Sequence, residues 1–181
     1  MIIEALLLGL LIVKIRGNKL RDSVYFNRVS MFLAAFGILL SLFLIIFTRN
    51  DLGYFTYFFV KNYFYLHVLS LLIIALSLII NYKHLGLLIV GLGLLLNLIP
   101  IFLNGKMPVD KRALISINNP LKLEIIETNK SLSHGIFERP KAWILSDIIP
   151  LKKPYPMPKV ISIGDIIISC GIIIYIYYLK E

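Results

Sequence analysis

Apolar positions in this chain gather in long runs, with little of the short alternation of a strand or the narrow stripe of a soluble helix. Five such runs stand out, at 1–15, 29–48, 62–82, 85–103 and 160–178. A helix rises about 1.5 Å per residue, so about 20 apolar residues cross the hydrocarbon of a bilayer. Four of the runs meet that length. The first is short and carries Glu4, so it is expected to form a thin span or a half-inserted helix. The predicted architecture is an all-α bundle of about five transmembrane helices, one membrane domain over 1–181, with a mixed loop at 104–159.

Polar residues inside the runs fall on faces. His67, Ser70, Ser77 and Asn81 share one face at helical spacing, as do Ser30, Ala34, Gly37, Ser41 and Thr48. Ser162, Asp165 and Ser169 line a stripe of the last run. Gly86, Gly91, Gly93 and Asn97 interrupt the fourth, and Pro100 predicts a kink. Small and polar stripes let membrane helices pack closely. In the 104–159 loop, Asn104-Gly105 and Asn118-Asn119-Pro120 mark turns. Residues 110–117 suit a turn or two of helix. Leu121, Leu123 and Ile125 alternate with Lys122 and Glu124, which predicts a short strand. Residues 142–150 are too short to span and too apolar for open water, so an interfacial segment anchored by Trp143 is expected. PYPMP at 154–158 predicts a stiff, extended return to the last helix.

Composition sharpens this picture. Hydrophobic residues make up 59% of the chain, above the roughly 45–50% of soluble domains. The formal charge is +9, but the helices leave little soluble surface for nucleic acid. It reads as topology signal and contact with anionic lipid headgroups. Arg16, Lys19, Arg21 and Arg28 against Asp22 place 16–28 in the cytoplasm. The aromatic 49–61 segment is then outside, the Tyr82-Lys83-His84 turn inside, and 104–159 outside. A multi-pass cell-membrane protein results, N-terminus outside and C-terminus cytoplasmic. Positive charge follows the first apolar run, so that run reads as retained and not as a secretory signal. The lone cysteine, Cys170, allows no intramolecular disulfide.

Two carboxylates are candidates for chemistry. Asp165 lies about one and a half turns into the last run, roughly 8 Å below its start. Asp147 sits in the apolar interfacial stretch. Two carboxyls brought together in low dielectric cannot both ionise; one keeps its proton while the other activates water. The competing reading is that each caps a helix or pairs with Lys152, Lys153 or Lys159. His67, His84 and His134 show no metal-ligand spacing, and no cofactor motif is present. His134, in SLSHG, can reach the site from the loop, and Asn97 can orient a carboxylate or bond a neighbouring helix.

The segments NGKMPV (104–109), SDIIPL (146–151) and VISIGDIIISCG (160–171) resemble those of an uncharacterised bacterial family of five-helix membrane proteins. The C-terminal half is also similar to type II (lipoprotein) signal peptidases, which are intramembrane aspartyl proteases. Ile161-Ser162-Ile163-Gly164-Asp165 lies where their FN-x-A-D motif would, Asp147 precedes Asp165 at a compatible distance, and Asn97 takes their asparagine position. Ser162 replaces the motif asparagine, and Pro100 stands where a DR pair would begin. The resemblance implies Asp147 and Asp165 as the catalytic pair, Asn97 and Ser162 as orienting or substrate-binding groups, and a lipid-linked or membrane peptide as substrate; His134 is added to the orienting groups by its place in the loop. The alternative is a non-catalytic membrane protein that binds a partner or lipid through its outer loop. A transporter fits less well, because Ile172 to Tyr178 offers no polar path.

Overall fold

The computed structural model describes residues 2–16 and 27–179. The expectations resting on Lys19, Arg21, Asp22 and the Lys180-Glu181 end lie outside the described residues. Long helices dominate: α1 Ile2–Ile15, α2 Arg28–Arg49, α3 Tyr54–Lys61, α4 Tyr63–Ile80, α5 Leu85–Asn104, and α8 Ile163–Tyr178. Between α5 and α8 lie β1 Met107–Pro108, α6 Lys111–Ser116, α7 Pro120–Glu127, β2 His134–Gly135, the 3-10 turn Trp143–Leu145, β3 Ile149–Leu151 and β4 Lys159–Ile161.

Among the described residues, three helices, α2, α4 and α5, are long and apolar enough to cross a membrane. α1 and α8 are shorter, at 14 and 16 residues. The fifth apolar run is therefore not one helix. Its first residues, Val160 and Ile161, pair with β3 and bury in the loop, and Ser162 then caps α8. Those residues are apolar because they fill a protein core, a purpose hydropathy cannot separate from lipid contact.

The polar stripes meet each other. Asn81 of α4 donates to Ser30 Oγ of α2 and accepts from the Asn27 backbone N–H at 3.1 Å. Ser70 and Ser77 return their hydroxyls to carbonyls one turn back, at 2.8 and 2.7 Å. That satisfies them where no water reaches. α5 and α8 pack through glycines. A Cβ on Gly93 would come within 2.8 Å of Ile168, and one on Gly171 within 2.8 Å of the Gly86 carbonyl. Such contact of backbones is the usual use of small residues between membrane helices.

The 104–159 loop is a folded cap with its own core of Val109, Ala113, Leu114, Ile117, Ile126 and Val160. The helix expected at 110–117 forms as α6, capped by Asp110, whose carboxylate accepts from Ala113 N at 2.7 Å. The strand expected at 121–125 is helix α7 instead. Asn119 accepts from Lys122 N at 3.1 Å and Pro120 occupies the first turn, a helix-start signature. Leu123 and Ile126, three apart, face the core, whereas Leu121 and Ile125 are exposed. Helical period thus beats the apparent alternation. The 49–61 segment contains α3, and Phe59 stacks on Phe47 at 4.7 Å. The 154–158 stretch is not extended: it turns, with Tyr155 N donating to Lys152 O at 2.9 Å.

Candidate functional site

Asp147 reaches its place through backbone hydrogen bonds. Its N–H donates to Pro108 O at 3.0 Å and its carbonyl accepts from Asp110 N at 2.9 Å. This locks the chain beside β1, and the carboxyl is 7% exposed. The same β1 pairs in parallel with β2, Met107 opposite His134. Two short pairings therefore bring His134 and Asp147, distant in sequence, to His134 Nε2···Asp147 Oδ2 of 3.5 Å. On the other edge of the ring, His134 Nδ1 hydrogen-bonds Ser133 Oγ at 2.7 Å.

Asp165 sits elsewhere than its position in the apolar run implied. It lies in the first turn of α8, not one and a half turns down. It forms a capping box: Asp165 N donates to Ser162 Oγ at 3.0 Å, and Ser162 N donates to Asp165 Oδ2 at 3.1 Å. Its other oxygen accepts from Asn97 Nδ2 at 3.1 Å, and Ser162 Oγ donates to Asn97 Oδ1 at 2.7 Å. Asn97 thus uses both ends of its amide to tie α5 to the start of α8. Gly164 leaves the room for it: a Cβ there would collide with the Asn97 amide. Lys159, considered as a partner for the aspartates, instead pairs with Glu4 at 2.6 Å, and Tyr155 donates to the same Glu4 oxygen at 2.9 Å.

These groups share one cavity of about 520 Å³ between the helices and the cap. Asp147, Asp165, Asn97 and His134 all line it, as do Glu4, His67, Lys122, Ser133 and Lys159. Leu71, Leu94, Ile101 and Ile168 form part of its apolar wall. Ser162 is fully buried behind Asn97 and acts on the site through it.

The electrostatics separate the loop groups. Burial pushes the Asp147 carboxyl up to about 7; the nearby Asp165 adds to this and Lys122 opposes it. Burial pushes His134 down to about 4, helped by Lys122 and His67 and opposed by Asp165. At neutral pH His134 is therefore an uncharged imidazole, and Asp147 is close to half-protonated.

Of the residues singled out from sequence, Asp147, Asp165, Asn97 and His134 meet at one cavity, with Ser162 bonded behind it. Sequence reasoning passed over Ser133, Lys122 and the Glu4–Lys159 pair. Glu4 carried a signal, as a lone acid in an apolar run, but its partner lies 155 positions away. Among the described residues, no group of three or more His, Cys, Asp or Glu is arranged to hold a metal ion.

No curated protein and no solved structure matches the chain. A family model matches residues 25–177, which take in every residue of the cavity except those of α1. On that match the chain belongs to a family of unknown function, DUF5317.

Proposed function

We propose that the protein is a membrane-embedded hydrolase that cleaves a peptide or ester bond near the outer leaflet, with Asp147 and Asp165 as its acid and base. In this reading the bundle crosses the membrane about five times, with 104–159 on the non-cytoplasmic side. The observation that carries it is that two carboxyls from separate elements open into one largely apolar cavity. Asp147, raised toward neutrality, is the one that holds the proton. Asp165, fixed by Asn97 and the Ser162 backbone, takes a proton from the attacking water. The water oxygen bonds to the acyl carbon while Asp147 passes its proton toward the leaving group, so the two roles balance. The substrate class that suits this site is a lipid-linked or membrane peptide.

The test is hydrolysis in ¹⁸O-labelled water by the purified chain in lipid nanodiscs, offered diacylglyceryl-modified and plain membrane peptides. One ¹⁸O is expected in the new carboxylate. Asp147→Asn and Asp165→Asn should each slow product formation by about 10²–10⁴-fold, with the fold checked by circular dichroism. Product formation unchanged by both substitutions, or none from the unmodified chain, rejects the reading.

One observation favours a different reading. The Ser162–Asp165 capping box and its Asn97 tie are sufficient structural work for Asp165. In that case the protein is non-catalytic, and its cap binds a partner or lipid. Asp165→Asn then lowers the thermal midpoint, and no ¹⁸O product accompanies the folded chain.

A further inference from the structure

Ser133 and His134 have a chemistry that the two-aspartate reading does not use. Ser133 Oγ stands 2.7 Å from His134 Nδ1, and His134 Nε2 stands 3.5 Å from Asp147 Oδ2. All three side chains line the same cavity. We propose that Ser133, His134 and Asp147 form a nucleophile, base and positioning carboxylate, able to form an acyl-serine with an ester or activated acyl substrate that enters this cavity.

The arrangement satisfies the requirements of an activated serine in order. A nucleophile needs a base within hydrogen-bond reach, and the base needs a third group to orient it. Such constellations recur on unrelated folds and are recognised by geometry and roles. Here the serine is the immediate neighbour of the histidine. That adjacency explains why it meets Nδ1, the ring nitrogen nearer the backbone, and leaves Nε2 for the carboxylate. The 3.5 Å separation is long for a hydrogen bond, a looseness common before substrate binds. The Tyr63 side chain also hydrogen-bonds Ser133. Lys122, on the same cavity wall, is the cation available to an oxyanion.

The step balances. Ser133 Oγ bonds to the acyl carbon, its proton passes to His134 Nδ1, and His134 returns that proton to the departing alkoxide. Water then repeats the sequence on the acyl-serine and releases the acid. His134 is neutral near pH 7 and so free to accept the proton. Asp147 orients it when ionised, so the reaction gains as pH rises through about 7. The charged and titratable groups that share this cavity with Asp147 are Asp165, Lys122, His67, His134, Glu4 and Lys159. This goes beyond the two-aspartate hydrolase, shares only Asp147 with it, and does not need Asp165.

The experiment is covalent labelling of the full chain in nanodiscs by an alkyl fluorophosphonate. The serine oxygen bonds to phosphorus and fluoride leaves with the proton. Intact mass and peptide mapping should find one adduct, on Ser133. Ser133→Ala should abolish it. His134→Gln should slow it by about 10²-fold or more, and Ser116→Ala, at a serine outside the cavity, should leave its rate within about twofold. Mapping the unmodified chain guards against variants that fail to fold. No adduct, or an adduct on Tyr63 or any residue other than Ser133, overturns the proposal, as does labelling that is indifferent to His134→Gln. Loss of ¹⁸O product in Asp165→Asn reads the two-aspartate reaction and the Ser133 adduct reads this one, so the two readings fail separately.

Discussion

A single buried carboxyl dominates the residue scale. Asp147 is held at about 7 chiefly because its surroundings cannot solvate its charge. The folded chain therefore binds its proton more tightly than the unfolded chain. The sign follows: stability from this group is fully present below the ordinary carboxylate range and is lost as pH rises through about 7. A shift from 3.8 to about 7 corresponds to at most about 4 kcal/mol, reduced by any water that enters the cavity. The depressed His134 gives the opposite slope below its ordinary value of 6.5, so the thermal midpoint of the nanodisc-embedded chain should fall between about pH 6.5 and pH 8. Asp147→Asn should flatten that slope and raise the midpoint at pH 8. A slope unchanged in Asp147→Asn would assign the pH dependence to another group.

Elements meet at the site through one missing side chain. α5 presents Asn97 and α8 presents Gly164, and the amide lies where a Cβ on Gly164 would stand. Gly164→Ala should therefore push Asn97 off Ser162 and Asp165. The expected cost is about 1–3 kcal/mol for overpacking a filled interface, read as a lower midpoint in thermal unfolding followed by circular dichroism. An unchanged midpoint would show that Asn97 has room to move, and that the tie between α5 and α8 is slack. The element scale also shows where period and hydropathy mislead. Residues 121–125 alternate like a strand, yet Asn119-Pro120 starts a helix whose buried face is Leu123 and Ile126. Residues 160–161 are as apolar as a span, yet they are a strand in the cap.

At the scale of the molecule, three helices among the described residues are long and apolar enough to cross a membrane, the shorter α1 and α8 stand beside them, and a folded cap joins α5 to α8. The charge bias predicts a sidedness for this body. Reporter fusions after Tyr82 should read cytoplasm and fusions near Lys130 the outside. A cytoplasmic signal at Lys130 would invert the orientation and put the cavity at the inner leaflet. α1 is tied to this body by Glu4–Lys159 at one end and by the Arg16–Tyr177 hydrogen bond at 2.9 Å at the other.

The sequence by itself determined that the chain carries helices long and apolar enough to cross a membrane, because apolar runs about a bilayer thick are legible without a structure. It also marked Asp147, Asp165 and Asn97, because polar groups in apolar surroundings are costly and so stand out. Their association was decided only in three dimensions. Asp147 approaches the bundle because Pro108 and Asp110 take its backbone hydrogen bonds, and His134 joins it because β2 pairs with β1. Those pairings join residues tens of positions apart through backbone groups that every residue possesses, so no side-chain pattern announces them. Ser133 looked like an ordinary loop serine for the same reason. What gives it a partner is the tilt of a neighbouring imidazole toward a carboxyl that only the folded cap supplies.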